Sequence, residues 1–465
     1  MSGTSFFGDM LQTITERGRQ LLSLGSSGGA APDPEQGLVK LCDKLLQGRG
    51  EASGMALASI VLKRWEALDA VERIGFMRLL LERYGPDRAR LEAAIDAHRA
   101  APSADTVREL HNAAEPQRQE IIRRLNLAPG GVGALVKMRE SLLAMLPGRP
   151  ELAAVDADFQ HLFASWFNRG FLALKPIDWA TPANVLEKII RYEAVHEIRD
   201  WDELRRRVEP SDRRCFAFFH PQLPDEPLIF VEVALTTEIT AAVGELLDER
   251  RTPIPAEEAT VAVFYSISNC QDGLRGVSFG NFLIKQVAAD LGRDLPGLAT
   301  FVTLSPMPGF GAWLAQERER PSGVLDDDDL ATLALLDDRG WPDDAEASER
   351  LRPTLARAAA RYLLSAKNAR GAALDPVARF HLGNGARLER VNVLGDRSAR
   401  ALRQAHGTMV NYLYDLAEIE ANHEAFVGRG EVIASASVQR LARGARPLAA
   451  RAPARTGASK PEKVA

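Results

Sequence analysis

The sequence predicts an all-helical N-terminal part followed by a mixed α/β part, and three observations point that way. The chain has 465 residues, more than one hydrophobic core ordinarily organises. From about residue 35 to residue 172, apolar side chains recur at spacings of three and four, the period of helices that bury one face. Beyond Trp179 the pattern becomes short β-branched or aromatic runs between turn residues, which is how strands read.

In chain order, residues 1–34 are expected to form a flexible segment, since Gly25 to Pro34 is rich in Gly, Ser, Ala and Pro. Residues 35–172 then predict six to eight helices. Leu57, Ile60, Val61 and Trp65, then Phe76, Leu79, Leu80 and Tyr84, would form apolar stripes. Pro86-Asp87, Pro102-Ser103 and Pro116 punctuate the helices, and Pro129-Gly130-Gly131 is a break. His98, His111 and His161 stand singly there, so the segment reads as a packing or oligomerisation domain. Strands are expected at Cys215–Phe219, Leu228–Leu235, Thr260–Ser268 and Ala299–Leu304, with a helix over Phe279–Leu291. Two nearly all-apolar strands joined through a helix predict a buried central pair in an α/β layer. Helix is expected again from Pro353 to Lys367, a strand over Leu388–Leu394, and helix from Ala399 to Ala421. The α/β part is placed at 173–443. The tail, 444–465, mixes Ala, Arg, Pro, Lys and Gly without periodicity and is expected to be disordered.

Composition excludes several classes of function. A hydrophobic fraction of 46% and a charged fraction of 26% are those of a globular protein. The net charge of -5 argues against nucleic acid or an anionic membrane as the main partner. Cys42, Cys215 and Cys270 are too few and scattered for a disulfide framework or zinc knuckle, and read as reduced thiols. No run approaches the ~20 apolar residues of a spanning helix. Met1 to Leu24 lacks the pattern of a secretory signal, and Asp9 and Glu16 oppose a mitochondrial transit reading, so the cytoplasm is expected.

One loop invites an anionic ligand. Between the strand ending near Ser268 and the next helix lies Gln271-Asp-Gly-Leu-Arg-Gly-Val-Ser-Phe-Gly-Asn281. Its glycines let the backbone turn sharply, and the following helix aims unpaired amides and the positive end of its dipole into the same space. A pyrophosphate suits such a place, although a purely structural turn has the same composition. The spacing is neither a dinucleotide fingerprint nor a Walker loop.

Two residues suited to chemistry follow. Ser305, in Thr303-Leu-Ser-Pro-Met-Pro-Gly-Phe310, sits at the carboxyl end of a predicted buried strand, where α/β sheets open to ligands. No Gly-x-Ser-x-Gly elbow is present, which disfavours a hydrolase nucleophile. His381 stands beside a Gly-Asn-Gly turn in Arg379-Phe-His-Leu-Gly-Asn-Gly-Ala-Arg387 and could move a proton near neutral pH. Taken singly, Ser305 reads equally as a strand stop, and for an isolated His381 the reading as a turn cap prevails. His220, His406 and His423 carry the same ambiguity. No histidine pair has metal-ligand spacing with an acidic partner, so no metal is expected.

Together these segments carry a resemblance. Arg275-Gly276-Val277-Ser278-Phe279-Gly280, followed by Phe282-Leu283-Ile284, resembles the Arg-Gly-x-Gly-x-Gly/Ala loop with which GNAT-type acyltransferases bind the coenzyme A pyrophosphate. Ser278 replaces the usual middle glycine. More widely, Trp166-Phe-Asn-Arg-Gly-Phe-Leu172, Tyr192-Glu-Ala-Val-His196, Trp201 to Arg207, Phe264-Tyr-Ser-Ile-Ser268, Leu304 to Phe310, Phe380-His-Leu-Gly-Asn-Gly-Ala386 and Asn411-Tyr-Leu-Tyr414 resemble, in that order, the malonyl-CoA decarboxylases. Ala114-Glu-Pro-Gln-Arg118 matches more loosely. The resemblance implies a helical domain used in oligomer assembly, with a tetramer or dimer of dimers fitting it, and a GNAT-like, acetyltransferase-type mixed-sheet catalytic domain. It also implies catalytic Ser305 and His381, and a coenzyme A loop of Arg275, Gly276, Val277, Ser278, Phe279, Gly280 and Asn281. Relatives often carry a glutamate where Ser278 stands, so no carboxylate role transfers. The implied activity converts malonyl-CoA to acetyl-CoA and carbon dioxide. Because the thioester is itself the electron sink, no pyridoxal, thiamine, biotin or metal is expected, and coenzyme A is part of the substrate. The rivals are an acyltransferase acting on an amine and a non-catalytic scaffold.

Overall fold

The computed structural model describes residues 34–47, 50–277, 283–369 and 371–443. The expected flexible segment (except its last residue, Pro34) and the expected tail lie outside them. Within them the chain is helical at first and then adds a mixed sheet of eight strands. It divides into two compact units that interleave in sequence. Among the described residues, the first takes in those within 1–208, 215–231 and 267–283, and the second those within 209–214, 232–266 and 284–465. The first unit thus extends past the helical segment 35–172.

Eight helices open the first unit: α1 (Pro34–Leu46), α2 (Glu51–Ala67), α3 (Ala70–Glu82), α4 (Arg88–Ala100), α5 (Ala104–Ala114), α6 (Gln117–Asn126), α7 (Gly131–Met145) and α8 (Ala153–Trp166). Their starts follow local chemistry. Asp69 and Glu72 form a capping box at α3, and Asp87 and Ser103 cap α4 and α5 with their side chains. Before α7, Gly130 takes φ 72°, and a Cβ on Gly131 would lie 2.4 Å from the Leu125 carbonyl oxygen, which explains the Pro-Gly-Gly break. Leu57, Val61, Trp65, Phe76, Leu80 and Tyr84 are buried, as their spacing predicts, whereas Ile60 and Leu79 of the same stripes are half-buried. Arg118 and Gln119, buried in the bundle, both donate to Asp158 at 2.5 and 2.6 Å.

After these helices, β1 (Ala173–Ile177) pairs antiparallel with β2 (Arg213–His220), Ala173 opposite Phe219 and Ile177 opposite Cys215. The amphipathic α9 (Ala183–Tyr192) and α10 (Trp201–Val208) bury Val185, Leu186, Ile189 and Leu204 with Ile177, Cys215, Ala217 and Phe219. The chain continues through β3 (Leu223–Thr236), the short α11 (Val243–Leu247), β4 (Val261–Asn269), α12 (Leu283–Asp294), β5 (Thr300–Thr303) and the two-residue β6 (Ser305–Pro306). Then come α13 (Phe310–Glu319), α14 (Asp327–Leu333), α15 (Ala345–Ser365), α16 (Pro376–Gly383), β7 (Arg387–Asn392), α17 (Ala399–Ala405), β8 (Met409–Leu413), α18 (Ile419–Arg429) and α19 (Ala436–Arg443).

In the second unit, β4 and β5 run parallel from Val261 opposite Thr300 to Phe264 opposite Thr303. β8 is the strand on which the others converge. It pairs antiparallel with β5 at Leu413 opposite Val302, with β6 at Val410 opposite Ser305, and with β7 at Met409 opposite Asn392. This corrects the helix expected over 399–421. That helix stops at Ala405 because His406 and Gly407 take φ 49° and 71°, and Met409 to Leu413 is a strand. The run Met-Val-Asn-Tyr-Leu suits a pleated, buried surface, and tertiary pairing overrides the helical context on either side.

Candidate active site

Ser305 owes its position to the end of the parallel pair. Leu304 still pairs with the strand beside it, its N–H reaching the Phe264 carbonyl at 2.9 Å. Ser305 then pairs opposite Val410 and Pro306 opposite Met409, and Pro306 has no N–H with which to extend the ladder. Ser305 is 5% exposed. The Ser305 hydroxyl donates to Thr303 Oγ1 at 2.9 Å, and Thr303 Oγ1 also accepts from the Tyr412 N–H at 3.2 Å. Thr303 and Ser305 lie two residues apart, so both side chains leave the same face of the strand. The Thr303 carbonyl is pinned from the other direction by Asn411, whose amide donates to it at 2.8 Å. Asn411 Oδ1 accepts in turn from Arg390 and Asn392 at 3.0 and 2.8 Å, so this buried amide is fully used.

His381 arrives on α16. Asp375 caps that helix, Oδ1 accepting from the N–H groups of Val377 and Ala378 at 2.9 and 3.0 Å, and Pro376 opens the first turn. The Gly-Asn-Gly turn ends it. Gly385 takes φ 81°, and a Cβ there would lie 2.2 Å from the Ile419 carbonyl oxygen. His381 Nε2 lies 3.0 Å from Ser305 Oγ, and Nδ1 lies 2.8 Å from Tyr414 Oη. The imidazole stacks on Tyr412, centroids 4.6 Å apart and planes 23° apart. Tyr412 and Tyr414 alternate along the chain with Leu413, so one face of the β8 segment supplies both contacts.

These bonds define a direction. Ser305 spends its one proton on Thr303, so the hydrogen between Ser305 and His381 belongs to Nε2. A neutral imidazole then accepts at Nδ1, and Tyr414 donates. Burial, which penalises charge, supports that state by pushing the His381 pKa from 6.5 down to about 3. The same cause raises Tyr412 and Tyr414 well above the usual phenol value, so both remain O–H donors.

The described part of the loop expected to bind pyrophosphate belongs to the first unit. Asp272–Leu274 forms a 3-10 turn after β4, and Gly276 takes φ 82°, a conformation that favours glycine. Arg275 is exposed and Val277 buried, whereas Ser278, Phe279, Gly280 and Asn281 lie outside the described residues. Arg139 of α7, 1% exposed, seats the beginning of this loop. Its Nη1 donates to the carbonyls of Gly273 and Arg275 at 2.7 and 2.9 Å, and its Nε to Asp156 at 2.8 Å. A Cβ on Gly273 would lie 2.0 Å from the Val136 carbonyl oxygen, so the turn lies directly on α7.

Sequence reasoning missed Thr303, Tyr412, Tyr414, Asp375 and Arg139. A period-two reading of Asn411-Tyr-Leu-Tyr414 would have placed both tyrosines on one face, and Asp-Pro before an apolar run signals a cap. Nothing local marks Arg139. Three further histidines have structural surroundings: His220 packs on Phe167, His406 on Phe310, and His423 donates to the Gly383 carbonyl at 2.7 Å.

Comparison with known proteins adds to this geometry. A family model described as the malonyl-CoA decarboxylase C-terminal domain matches residues 170–452, and one for the N-terminal domain of the same family matches 84–167. The chain is 38% identical over 348 residues to a mitochondrial malonyl-CoA decarboxylase of Anser anser anser, covering 70% of this chain and 69% of that one. It resembles the crystal structure of malonyl-CoA decarboxylase from Rhodopseudomonas palustris with TM-score 0.85 and 58% identity, over 88% of this chain and all of the other. Against the enzyme from Agrobacterium vitis the values are 0.83 and 60%, over 87% and 99%.

Proposed function

The chain belongs to the malonyl-CoA decarboxylase family and is a decarboxylating lyase. From that premise we propose that Ser305 and His381 act as a pair that holds the malonyl group and protonates the enolate left when carbon dioxide departs. The observation that carries this reading is the 3.0 Å bond between Ser305 Oγ and His381 Nε2, made by two buried side chains that lie 76 residues apart in the chain.

Loss of carbon dioxide breaks the bond between carbon two and the carboxyl carbon, and its electron pair moves into the thioester as an enolate. Hydrogen-bond donors aimed at the charge that develops lower the barrier most in a site without water. Ser305, once its hydroxyl turns from Thr303 to the substrate, and the Nε2–H of His381, once released from Ser305, supply two such donors. Carbon two must then gain a proton. The resting imidazole is neutral, so the acid has to be made by the substrate. A malonyl carboxylate beside His381 in a dry site raises the imidazole pKa, and the proton enters with the substrate. After carbon dioxide leaves, that proton passes to carbon two, directly or through Ser305, and His381 returns to neutrality. Tyr414, as donor to Nδ1, keeps the Nε2–H directed at Ser305 in the resting state and can accept from Nδ1–H once the ring is charged.

In this reading the pantetheine arm and pyrophosphate are seated by Arg275 to Asn281, the thioester is the electron sink, and no prosthetic group or metal takes part. The helical segment assembles a homo-oligomer, for which light scattering of the purified protein is the check, and the enzyme works in the cytoplasm.

His381→Asn keeps a polar amide near the position of Nδ1 while removing the imidazole ring and its titrating group. Carbon dioxide release from malonyl-CoA should fall by about a hundredfold or more while coenzyme A still binds. Near-normal turnover would remove His381 from the chemistry.

A further inference from the structure

Asp375 does more than cap the helix that carries His381. It is 2% exposed, and its two oxygens serve different parts of the chain. Oδ1 takes the Val377 and Ala378 N–H groups, the usual duty of an N-cap. Oδ2 accepts from the Gly309 N–H at 3.3 Å and from the Tyr362 hydroxyl of α15 at 3.2 Å. Gly309 ends the segment Ser305-Pro-Met-Pro-Gly, in which two proline rings fix the backbone and carry the position of residue 309 back to residue 305. On the other side, His381 lies six residues along a regular helix from Asp375, about 9 Å at the usual rise. Gly309 approaches so closely that a Cβ there would lie 2.4 Å from Tyr362 Oη.

We propose that Asp375 is a positioning residue for the reaction: its Oδ2, together with Tyr362, sets the distance between the Ser305 segment and the His381 helix. The proposal rests on the Ser305–His381 reading above and extends it to the group that holds the pair in register. A displacement of about 1 Å between reacting groups can cost on the order of a hundredfold in rate, so a bridge that fixes two backbone segments matters to turnover even though it touches no substrate.

Asp375→Asn separates the two duties. Its amide oxygen can still cap the helix, but the NH₂ placed at Oδ2 cannot accept from Gly309. The expected result is a kcat lower by tenfold or more with the dissociation constant for coenzyme A changed less than about twofold. The deciding measurement repeats the substitution in the His381→Asn background. A residue that acts through the pair has little left to lose there, so the two effects should be strongly non-additive, whereas general damage to the fold would lower both backgrounds by the same factor. Tyr362→Phe, which removes one bond to Oδ2 and leaves the cap intact, should lower kcat several-fold and show the same non-additivity. It decides the matter if Asp375→Asn does not fold. A kcat within about twofold of wild type in the variants that fold, or equal losses in both backgrounds, overturns the proposal. Normal turnover by His381→Asn alone would instead sink the pair itself.

Discussion

A carboxylate brought to His381 should turn a weakly basic imidazole into the acid that finishes the reaction. In the free protein burial holds its pKa at about 3, so at pH 7 roughly one ring in ten thousand is protonated. A unit negative charge about 4 Å away, at an effective dielectric constant of about 20, contributes about 4 kcal/mol. At 1.36 kcal/mol per pKa unit this raises the imidazole by about three units, to near pH 6. A malonyl-CoA analogue that keeps the carboxylate and cannot lose it should therefore bind with uptake of about 0.9 proton per site at pH 5, about half at pH 6 and about 0.1 at pH 7. Calorimetry in buffers of different ionisation enthalpy reads that number directly. Acetyl-CoA, without the carboxylate, should take up none, and neither ligand should do so with His381→Asn. In turnover, kcat should be level below about pH 6 and fall about tenfold per unit above it. Equal proton uptake by wild type and His381→Asn at pH 5, or a kcat that stays flat from pH 5 to 9, would refute the idea that the substrate charges this histidine.

Two further outcomes follow from the same structure. Because the folded pKa of His381 lies below the 6.5 of an unfolded chain, the unfolded state binds more protons between those values. Its contribution to stability is thus complete above pH 6.5 and is lost as pH falls toward 3, at about 1.36 kcal/mol per unit. Denaturant titrations should show His381→Asn escaping about 3 kcal/mol of the acid sensitivity of the wild type between pH 7 and pH 4, and identical slopes would contradict the buried neutral state. Arg139→Met strips the guanidinium from the carbonyls of Gly273 and Arg275 and leaves Asp156 with Gln160 alone, which should cost about 3 kcal/mol in unfolding experiments. If this turn begins the coenzyme A seat, KM for malonyl-CoA should also rise more than kcat falls, and an unchanged KM would separate Arg139 from binding.

Much of the architecture was legible locally. The stripe Leu57, Val61, Trp65 and the breaks at Pro86, Pro102 and Pro129 have direct counterparts in the helices, because the helical period and the caps involve neighbours three or four residues apart. Ser305 at a strand end and His381 before a Gly-Asn-Gly turn were legible for the same reason. β8 was not, since Met409 to Leu413 follows a true helix closely, and only pairing with β5, β6 and β7 makes it a strand.

From the order of its residues alone, the chain declared its helical and mixed halves, its chemically able serine and histidine, and a glycine-bearing turn after a strand. Tertiary structure alone decided that Ser305 meets His381, that Thr303 and Tyr414 orient the proton between them, and that Asp375 ties the two segments together. Local pattern reports backbone conformation through contacts a few residues apart. The protonation state of a histidine and the spacing of a reactive pair depend on burial and on partners many residues distant, and these exist only once the chain has folded.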